Sequence, residues 1–451
     1  MTPAARFRLQ LIAAALVTAT ACKDSVDPVA PRLPVQSASL GASVAVTTTA
    51  ELLAALSPAN AGRRILVRPG TYDISQPIVV PDSITLEGEG TMLSNGDGLP
   101  AGFGSGAHAT IRMTANVAGD MLTLGNAVTI RNLEIVDLVG RSGNAVAVYS
   151  RAAHDSVSAS IVESEIVNAN AGFYGLYVQT RNLNLGNAPA PHEGAMITVR
   201  LTRSLVTSTV GGRGVFAFNF APSAKVAVTL AGSVLGGITA NGGVSLPDEV
   251  HDSQVQIESH GNLYRNEVSD PCAAAVVGWN LTGGSGAPVP IPAAGTARNT
   301  LLMQSVGDRI EHFTTAIQAD ASRRYFGAPM AGESTDDTID LELINATLAT
   351  PSCGAAQVVR DLDLKGAYSA SDVLAPGNGN VLRAVIRGVT GSGPRANLYA
   401  DAGGASAPLP ASDQGTGNRL EIVGSPVAFA HTNRQIDPAP SPQFFTSGSR
   451  R

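Results

Sequence analysis

Lysine and aromatic residues are both scarce in this sequence. Only three of its 451 residues are lysine, aromatic residues contribute 4% and charged residues 15%, and the formal net charge is −6. Nucleic-acid-binding surfaces need clustered cations that neutralise phosphates, so this composition disfavours nucleic acid as a partner. Hydrophobic residues still make up 44% of the chain, which is enough for a substantial core and argues against wholesale disorder.

Long hydrophobic runs are also absent, apart from residues 9–21 near the N-terminus. This run follows two arginines and is shorter than the roughly 20 residues that cross a bilayer as a helix, so it is typical of a signal peptide. The sequence ATAC that ends at Cys22 resembles the lipobox of bacterial lipoproteins. The resemblance implies that residues 1–21 are removed and that Cys22 is lipidated. It also implies attachment to the cell envelope, with the outer membrane favoured. A plain signal peptide cut just before Cys22 is the alternative.

Cysteine is rare as well, with three residues in the chain. If Cys22 carries lipid, Cys272 and Cys353 remain as an even pair in an oxidising compartment. Both lie in segments that look like turns, which predicts a disulfide between two neighbouring loops. Two buried thiols are the alternative, and no metal site is expected because neither cysteine has a histidine nearby.

Three segments of different character follow the signal peptide. Residues 22–44 are rich in Pro, Ser and Ala and lack periodicity, which predicts a flexible tether. Residues 45–435 are predicted to form a single domain. Residues 436–451 are predicted to be a loose C-terminal tail.

A short helix is predicted at the start of the domain. Thr48 and Glu51 have the Thr-x-x-Glu spacing of a capping box. They precede Leu52, Leu53 and Leu56, which we expect to share one apolar helical face.

The opening of this domain is similar to that of a known family of β-helices. Residues 51–56 (ELLAAL), 65–72 (ILVRPGTY) and 84–90 (ITLEGEG) resemble the first coils of pectate-lyase-like proteins. The resemblance implies a right-handed parallel β-helix with a small helix over its first coil. A stack of coils ends in an open strand edge and an exposed core, so a cover is physically needed.

Short segments of alternating apolar and polar residues recur through the remainder of the domain. Alternation predicts half-buried strands, and recurrence every few tens of residues is typical of stacked coils. With about 30–40 residues per coil, we predict an all-β, right-handed parallel β-helix of roughly 10–13 coils. A pair of β-sandwiches is the competing architecture, but it requires tight hairpin turns, which are few here. The segments are 128–135, 160–167, 197–206, 226–235, 255–264, 339–348 and 381–389.

The densest polar stretch of the sequence, between residues 248 and 267, contains the candidate catalytic residues. Acidic side chains from adjacent coils could coordinate Ca²⁺, and a histidine or arginine could then act as the base on a uronate sugar. The interpretation that we prefer is a solvated turn followed by a strand with outward polar residues. The motifs that carry catalysis in pectate lyases and polygalacturonases are not found. The candidates are Asp248, Asp252, Glu258, His260 and Arg265.

The few aromatic residues concentrate in two segments. Alternation places Phe216, Phe218 and Phe220 on one side of a strand, and Tyr174 and Tyr177 lie in the other segment. We prefer the interpretation that they pack inside the cylinder as core. On an outer face they would instead form a platform that stacks on sugar rings.

Taken together, these patterns favour a lipid-anchored, non-catalytic envelope protein that presents a long surface to a glycan or another envelope partner. We expect a monomer attached to the membrane through its lipid, without a cofactor. The alternative is a lyase or hydrolase that acts on an acidic polysaccharide, and only in that case would Ca²⁺ be relevant.

Overall fold

The protein is a right-handed parallel β-helix in a computed structural model. Cys22 and Asp248 lie outside the described residues, as do the predicted signal peptide and most of the predicted tether. The structure describes residues 43–137, 140, 143–170, 172–180, 192–208, 213–245, 249–267, 270–272, 276–285, 295–323, 334–353, 359–366, 378–391, 396–399, 417–424, 432–434 and 443–445.

Three long sheets of parallel strands, called sheets A, B and C, enclose one hydrophobic core. Among the described residues, sheet A has 13 strands, sheet B has 10 and sheet C has 11, in agreement with the predicted number of coils. The strands of sheet A are Val44–Val46, Arg64–Val67, Thr85–Gly88, Val128–Arg131, Ser156–Val162, Met196–Thr202, Lys225–Ala231, Gln254–His260, Thr300–Val306, Thr338–Ile344, Val381–Arg387, Arg419–Gly424 and Gln443–Phe445.

Sheets B and C complete each coil. The strands of sheet B are Gly70–Ile74, Ala109–Met113, Glu134–Asp137, Glu165–Asn168, Leu205–Ser208, Val234–Leu235, Leu263–Arg265, Arg309–Glu311, Thr347–Ala349 and Thr390–Gly391. The strands of sheet C are Ile78–Val80, Leu122–Leu124, Val146–Tyr149, Leu176–Gln179, Val215–Phe218, Ile238–Asn241, Val277–Ser285, Thr315–Arg323, Arg360–Lys365, Ala396–Tyr399 and Thr432–Arg434. A small parallel sheet joins Val250–His251, Thr296–Ala297 and Ser334–Thr335.

Alternation along each strand separates the core from the surface. In the strand Gln254–His260, Val255 and Ile257 are buried, whereas Gln256 and Glu258 point outward and are half-buried. Adjacent strands are in register, so Val255 and Ile257 stack on the apolar residues Leu301 and Met303 of the next coil. This is the pattern from which the sequence predicted strands.

Many corners between the sheets share one backbone feature. A residue with positive φ precedes a buried side chain, as at Ser83–Ile84, Arg203–Ser204 and Asp252–Ser253. Positive φ turns the chain sharply and is most accessible to Gly, Asn and Asp. The non-glycine residues that adopt it are Ser83, Ala127, Asn132, His154, Glu163, Arg203, Ser223, Asp252, Arg298, His312, Asp336 and Asn345.

The inward residues that follow these corners form two buried polar ladders. Between sheets A and B, the backbone N–H of one ladder residue donates to the side-chain oxygen of the next at 2.7–3.2 Å. Corner N–H groups that have no partner in a strand are satisfied in this way. This ladder consists of Ser164, Ser204, Ser233, Asn262 and Asp308.

The second ladder lies between sheets C and A, with N–H to oxygen distances of 2.8–3.1 Å. It consists of Ser253, Asn299, Asp337, Asn380 and Asn418. The carboxylate of Asp337 also accepts hydrogen bonds from the hydroxyls of Thr296 and Ser334. Despite these donors, burial raises the pKa of Asp337 to about 6.

Replacement of Asp337 by asparagine should change how stability depends on pH. Because the pKa of Asp337 is higher in the folded than in the unfolded chain, its stabilising contribution is complete below about pH 4 and is lost as the pH rises through about 6. The Asp337→Asn variant should match the wild type near pH 4 and exceed it at pH 7 by roughly 2 kcal/mol. Urea denaturation between pH 4 and 8 measures this difference, and parallel curves for the two proteins would contradict the prediction.

A short helix covers the first coil. It spans Thr49–Ala55 and is followed by a 3₁₀ turn at Pro58–Asn60. The hydroxyl of Thr48 accepts a hydrogen bond from the N–H of Glu51 at 3.2 Å, as the capping-box spacing predicts. The carboxylate of Glu51 returns to the N–H of Thr47 at 2.7 Å.

The apolar face of this helix is narrower than the sequence suggested. Leu52 and Leu56 are buried, as predicted, but Leu53 is 47% exposed. Successive residues of a helix are about 100° apart, so a residue next to Leu52 leaves the face that packs on the coil. The prediction was therefore wrong for Leu53.

A β-hairpin, Met92–Ser94 and Pro100–Phe103, lies against the outer face of sheet B. The N–H of Phe103 donates to Glu165 at 2.9 Å, and Asp97 in the turn pairs with Arg309 at 2.7 Å. Glu165 and Arg309 belong to strands separated by three others in sheet B. The hairpin therefore runs lengthwise over five successive strands.

The structure contains the disulfide between Cys272 and Cys353, whose Cα atoms are 5.8 Å apart. The two cysteines belong to coils that are not adjacent. The coil between them turns from sheet B to sheet C through residues 312–314 alone. Because this intervening corner is short, the two outer loops can meet across it.

No helix among the described residues is both long enough and apolar enough to cross a membrane.

Candidate functional site

The outer face of sheet A carries a groove of about 410 Å³ that crosses four neighbouring strands. These strands stack directly in register, so their outward side chains form rows along the axis. One row runs Glu258, Gln304, Glu342 and Val385, and the other runs Gln256, Leu302, Asp340 and Arg383. The groove is lined by Gln256, Ile257, Glu258, Leu302, Met303, Gln304, Asp340, Leu341, Glu342, Arg383 and Val385.

Amides and carboxylates pair on the floor of this groove. The side-chain amide of Gln256 donates to Glu258 at 2.9 Å, and that of Gln304 donates to Glu342 at 2.8 Å. Each pair leaves acceptor oxygens facing solvent, because a carboxylate has more acceptor sites than one amide N–H occupies. The groove therefore offers hydrogen-bond acceptors at strand-to-strand intervals of roughly 4.8 Å.

Charge in the groove is predominantly negative. Glu258, Asp340 and Glu342 contribute three carboxylates against the single guanidinium of Arg383. Arg383 contacts Asp340 at 3.5 Å and Glu421 on the next strand at 2.9 Å. Its positive charge is therefore shared between one carboxylate in the groove and one outside it. Burial raises the pKa of the Asp340 carboxyl, and the nearby Arg383 offsets this only in part.

The predicted catalytic residues that the structure describes do not converge. Glu258 lies in the groove, and His260 extends outward from the end of the same strand, exposed to solvent. Arg265 is exposed on sheet B, where its guanidinium lies 3.5 Å from Glu311. The position of Asp248 lies outside the described residues.

Asp252 lies at a corner between sheets and forms an ion pair. It has a positive φ of 55° and pairs through both carboxylate oxygens with Arg298, the equivalent corner residue of the next coil, at 2.7–2.8 Å. The hydrogen bonds from Arg298, together with that from His251, lower the pKa of Asp252 to about 2. This arrangement is that of an exposed surface ion pair, in keeping with the solvated-turn interpretation.

The aromatic candidates lie neither inside the cylinder nor on an open platform. Phe216, Phe218 and Phe220 form a separate buried cluster with Val244, outside the main core, and Tyr174 and Tyr177 pack against it. The ring of Tyr177 stacks on Phe216 with centroids 4.5 Å apart. The prediction of packing within the cylinder was wrong. Phe216 points outward from sheet C because its neighbours Val215 and Ala217 take the two inward positions.

The sequence did not single out Gln304, Asp340, Glu342 and Arg383 as site residues. They lie on strands recognised only as alternating segments, and their proximity comes from the register of separate coils. The T-I-D-L-E-L run of the strand Thr338–Ile344 was the available signal, because its two acidic residues both point outward.

Metal binding finds no support within the described part of the chain. Among those residues, no group of three or more His, Cys, Asp or Glu side chains is placed to hold a metal ion.

No protein-family model matches the chain, and a sequence search of curated proteins finds no match. Solved structures do show similarity. Tailspike protein 2 of Escherichia coli O157:H7 bacteriophage CAB120 is 9% identical over 83% of this chain and 40% of its own, with a TM-score of 0.36. Geobacillus virus E2 ORF18 is 9% identical over 82% of this chain and 54% of its own, with a TM-score of 0.32.

A polysaccharide lyase of the PL6 family from Pseudopedobacter saltans is 11% identical over 90% of this chain and 91% of its own, with a TM-score of 0.34. The present chain thus spans less than two thirds of the length of the two viral proteins. Similarity of this degree says nothing about the ligand or activity of this chain.

Proposed function

We propose that this protein is a non-catalytic, lipid-anchored component of the cell envelope that binds a neutral glycan in the groove of sheet A. The observation that carries the proposal is the row of amide–carboxylate pairs at Gln256–Glu258 and Gln304–Glu342. Sugar hydroxyls are donors that match carboxylate acceptors, and hydrogen bonds to charged groups are stronger than those between neutral groups. Leu302 and Val385 add apolar surface for the faces of sugar rings.

The charge of the groove argues against an acidic polysaccharide. Three carboxylates and one guanidinium line it, so a uronate chain would meet like charges. Neutral sugars avoid this repulsion. Repulsion between like charges also weakens the alternative of a lyase or hydrolase for acidic polysaccharide. A second reason against it is that the described candidates for its catalysis are dispersed over two sheets and one corner.

Binding to a panel of neutral and uronate-containing glycans tests the proposal. The double variant Gln304→Ala/Glu342→Ala should weaken binding of the best neutral glycan by about tenfold or more, since each lost hydrogen bond to a charged group costs at least ~1.5 kcal/mol. Arg265→Ala, on sheet B, is the matched control and should bind normally. Unchanged binding by the double variant, or a preference for uronates, would contradict the groove assignment.

Turnover distinguishes the enzyme alternative. Incubation of the wild type with uronate polymers, with and without Ca²⁺, should release no shorter products. Depolymerisation that is abolished by Glu258→Gln would favour the lyase or hydrolase instead.

The anchor has a separate test. If Cys22 is lipidated, the wild type should fractionate with membranes, whereas Cys22→Ser should be released in soluble form because one lipid-modified residue supplies the attachment. Release of the wild type itself in soluble form would argue for a plain signal peptide, and equal membrane association of both proteins would argue for another mode of attachment.

A further inference from the structure

A buried cluster of charged residues lies on the outer side of sheet C, in coils that also contribute strands of sheet A to the groove. Asp320 belongs to the strand Thr315–Arg323, and Asp363 and Lys365 belong to the neighbouring strand Arg360–Lys365. In the register of these parallel strands, Asp320 lies directly opposite Lys365, and Gln318 lies opposite Asp363. The side chains of Lys365, Asp320 and Asp363 are only 3%, 0% and 4% exposed.

The distances place an amine between two carboxyl groups. Lys365 Nζ lies 3.3 Å from Asp320 Oδ1 and 3.1 Å from Asp363 Oδ2. The two contacts differ in kind. Lys365 donates a hydrogen bond to Asp363, whereas Asp320 Oδ1 accepts no hydrogen bond from any of the described residues.

The surroundings give the two carboxyl groups different chemical roles. Asp363 Oδ2 also accepts a hydrogen bond from Arg360 Nη1 at 3.0 Å, so its negative charge is supported and it can act as a base. Asp320 Oδ2 accepts a hydrogen bond from the amide of Gln318 at 2.9 Å. A donor at that oxygen would stabilise the charge that develops when a nucleophile attacks the carboxyl carbon.

We propose that Lys365 and Asp320 condense spontaneously into an intramolecular isopeptide bond that covalently joins two adjacent coils. Asp363 first takes a proton from the ammonium of Lys365, which frees the amine to attack Cγ of Asp320. The Nζ–Cγ bond forms and the Cγ–Oδ1 bond breaks. Asp363 relays two of the three ammonium protons to Oδ1, which leaves as water, and the third proton remains on the new amide.

The reaction is balanced with the groups in the cluster alone. An ammonium and a carboxylate yield one amide and one water, without an oxidant or a co-reactant. The register holds amine and carboxyl in contact, which replaces a bimolecular encounter with an intramolecular one. Exclusion of bulk water disfavours separated charges and protects the amide from hydrolysis once it has formed.

Mass spectrometry of tryptic peptides from the folded wild-type protein tests this proposal. Residues 310–323 and 361–383 are each released by cleavage at arginine, with Lys365 inside the second peptide. We expect a branched species equal to the sum of both peptides less one water, with Lys365 uncut because trypsin does not cleave after an acylated lysine. Fragmentation should place the branch at Asp320 and Lys365.

Variants assign the roles within the cluster. Lys365→Met and Asp320→Ala should give only separate peptides, and Asp363→Asn, which keeps both reacting groups, should reduce the linked fraction at least tenfold. Circular dichroism verifies that each variant is folded. If Lys365→Met and Asp320→Ala do not fold, the result for Asp363→Asn decides the test. Wild-type protein that gives only unlinked peptides after prolonged incubation would overturn the proposal, as would full linkage in Asp363→Asn.

Discussion

Replacement of both Cys272 and Cys353 by serine should lower the free energy of unfolding by about 4 kcal/mol. The disulfide closes a loop with a sequence separation of 81 residues, and a cross-link of that span removes roughly this much chain entropy from the unfolded state. The double substitution leaves no unpaired thiol in either of the two loops. Chemical denaturation of the oxidised wild type, the reduced wild type and the double variant measures the effect.

The loss should also be localised. In a solenoid each coil contacts mainly its neighbours, so the effect of a missing cross-link decays along the axis. Amide hydrogen exchange should rise in the strands Val277–Ser285 and Arg360–Lys365 and stay unchanged in Arg64–Val67. A uniform increase, or a reduced wild type as stable as the oxidised one, would contradict this account.

The second large effect is expected at the helix that covers the first coil. Leu52 is fully buried, whereas its neighbour Leu53 is 47% exposed. Leu52→Ala should therefore destabilise the protein by about 2–5 kcal/mol through lost burial and the cavity left behind. Leu53→Ala should change stability by less than about 0.5 kcal/mol, as is usual at an exposed site.

This pair is a controlled comparison because both substitutions remove the same atoms from the same helix. Differential scanning calorimetry of the two variants suffices. Equal destabilisation by Leu52→Ala and Leu53→Ala would show that the helix does not pack on the first coil mainly through Leu52. A large effect of Leu52→Ala with increased binding of a hydrophobic dye would indicate that the core is open at its first coil.

The architecture could be predicted from the sequence because the fold of a parallel β-helix is encoded in local sequence patterns. Alternation within segments such as 255–264 identifies strands, and the ILVRPGTY sequence of residues 65–72 identifies the first coils. The turns carry a local signature too. Pairs such as Gly261–Asn262 and Arg298–Asn299 combine a residue of positive φ with a buried polar residue of a ladder.

The candidate site was harder to predict because it depends on which strands become neighbours and in what register. Glu258, Gln304 and Glu342 meet only because their strands stack without offset, although long and unequal loops separate them in the sequence. The aromatic cluster illustrates the same limit. Alternation showed correctly that Phe216 and Phe218 share a side of the strand, but it could not show which side faces the core.

The hairpin on sheet B has a consequence for how the molecule responds to mechanical load. A plain stack of coils pulled from its C-terminus would come apart one coil at a time, because adjacent coils share only their own interface. The hairpin changes this for one section, since Asp97 near the start of the stack pairs with Arg309, 212 residues later. The buried outward side chains Val234 and Leu263 lie along the strands between its two ends. Unfolding under load from the C-terminus should therefore pause at Arg309, and several coils should then unfold together in one long extension.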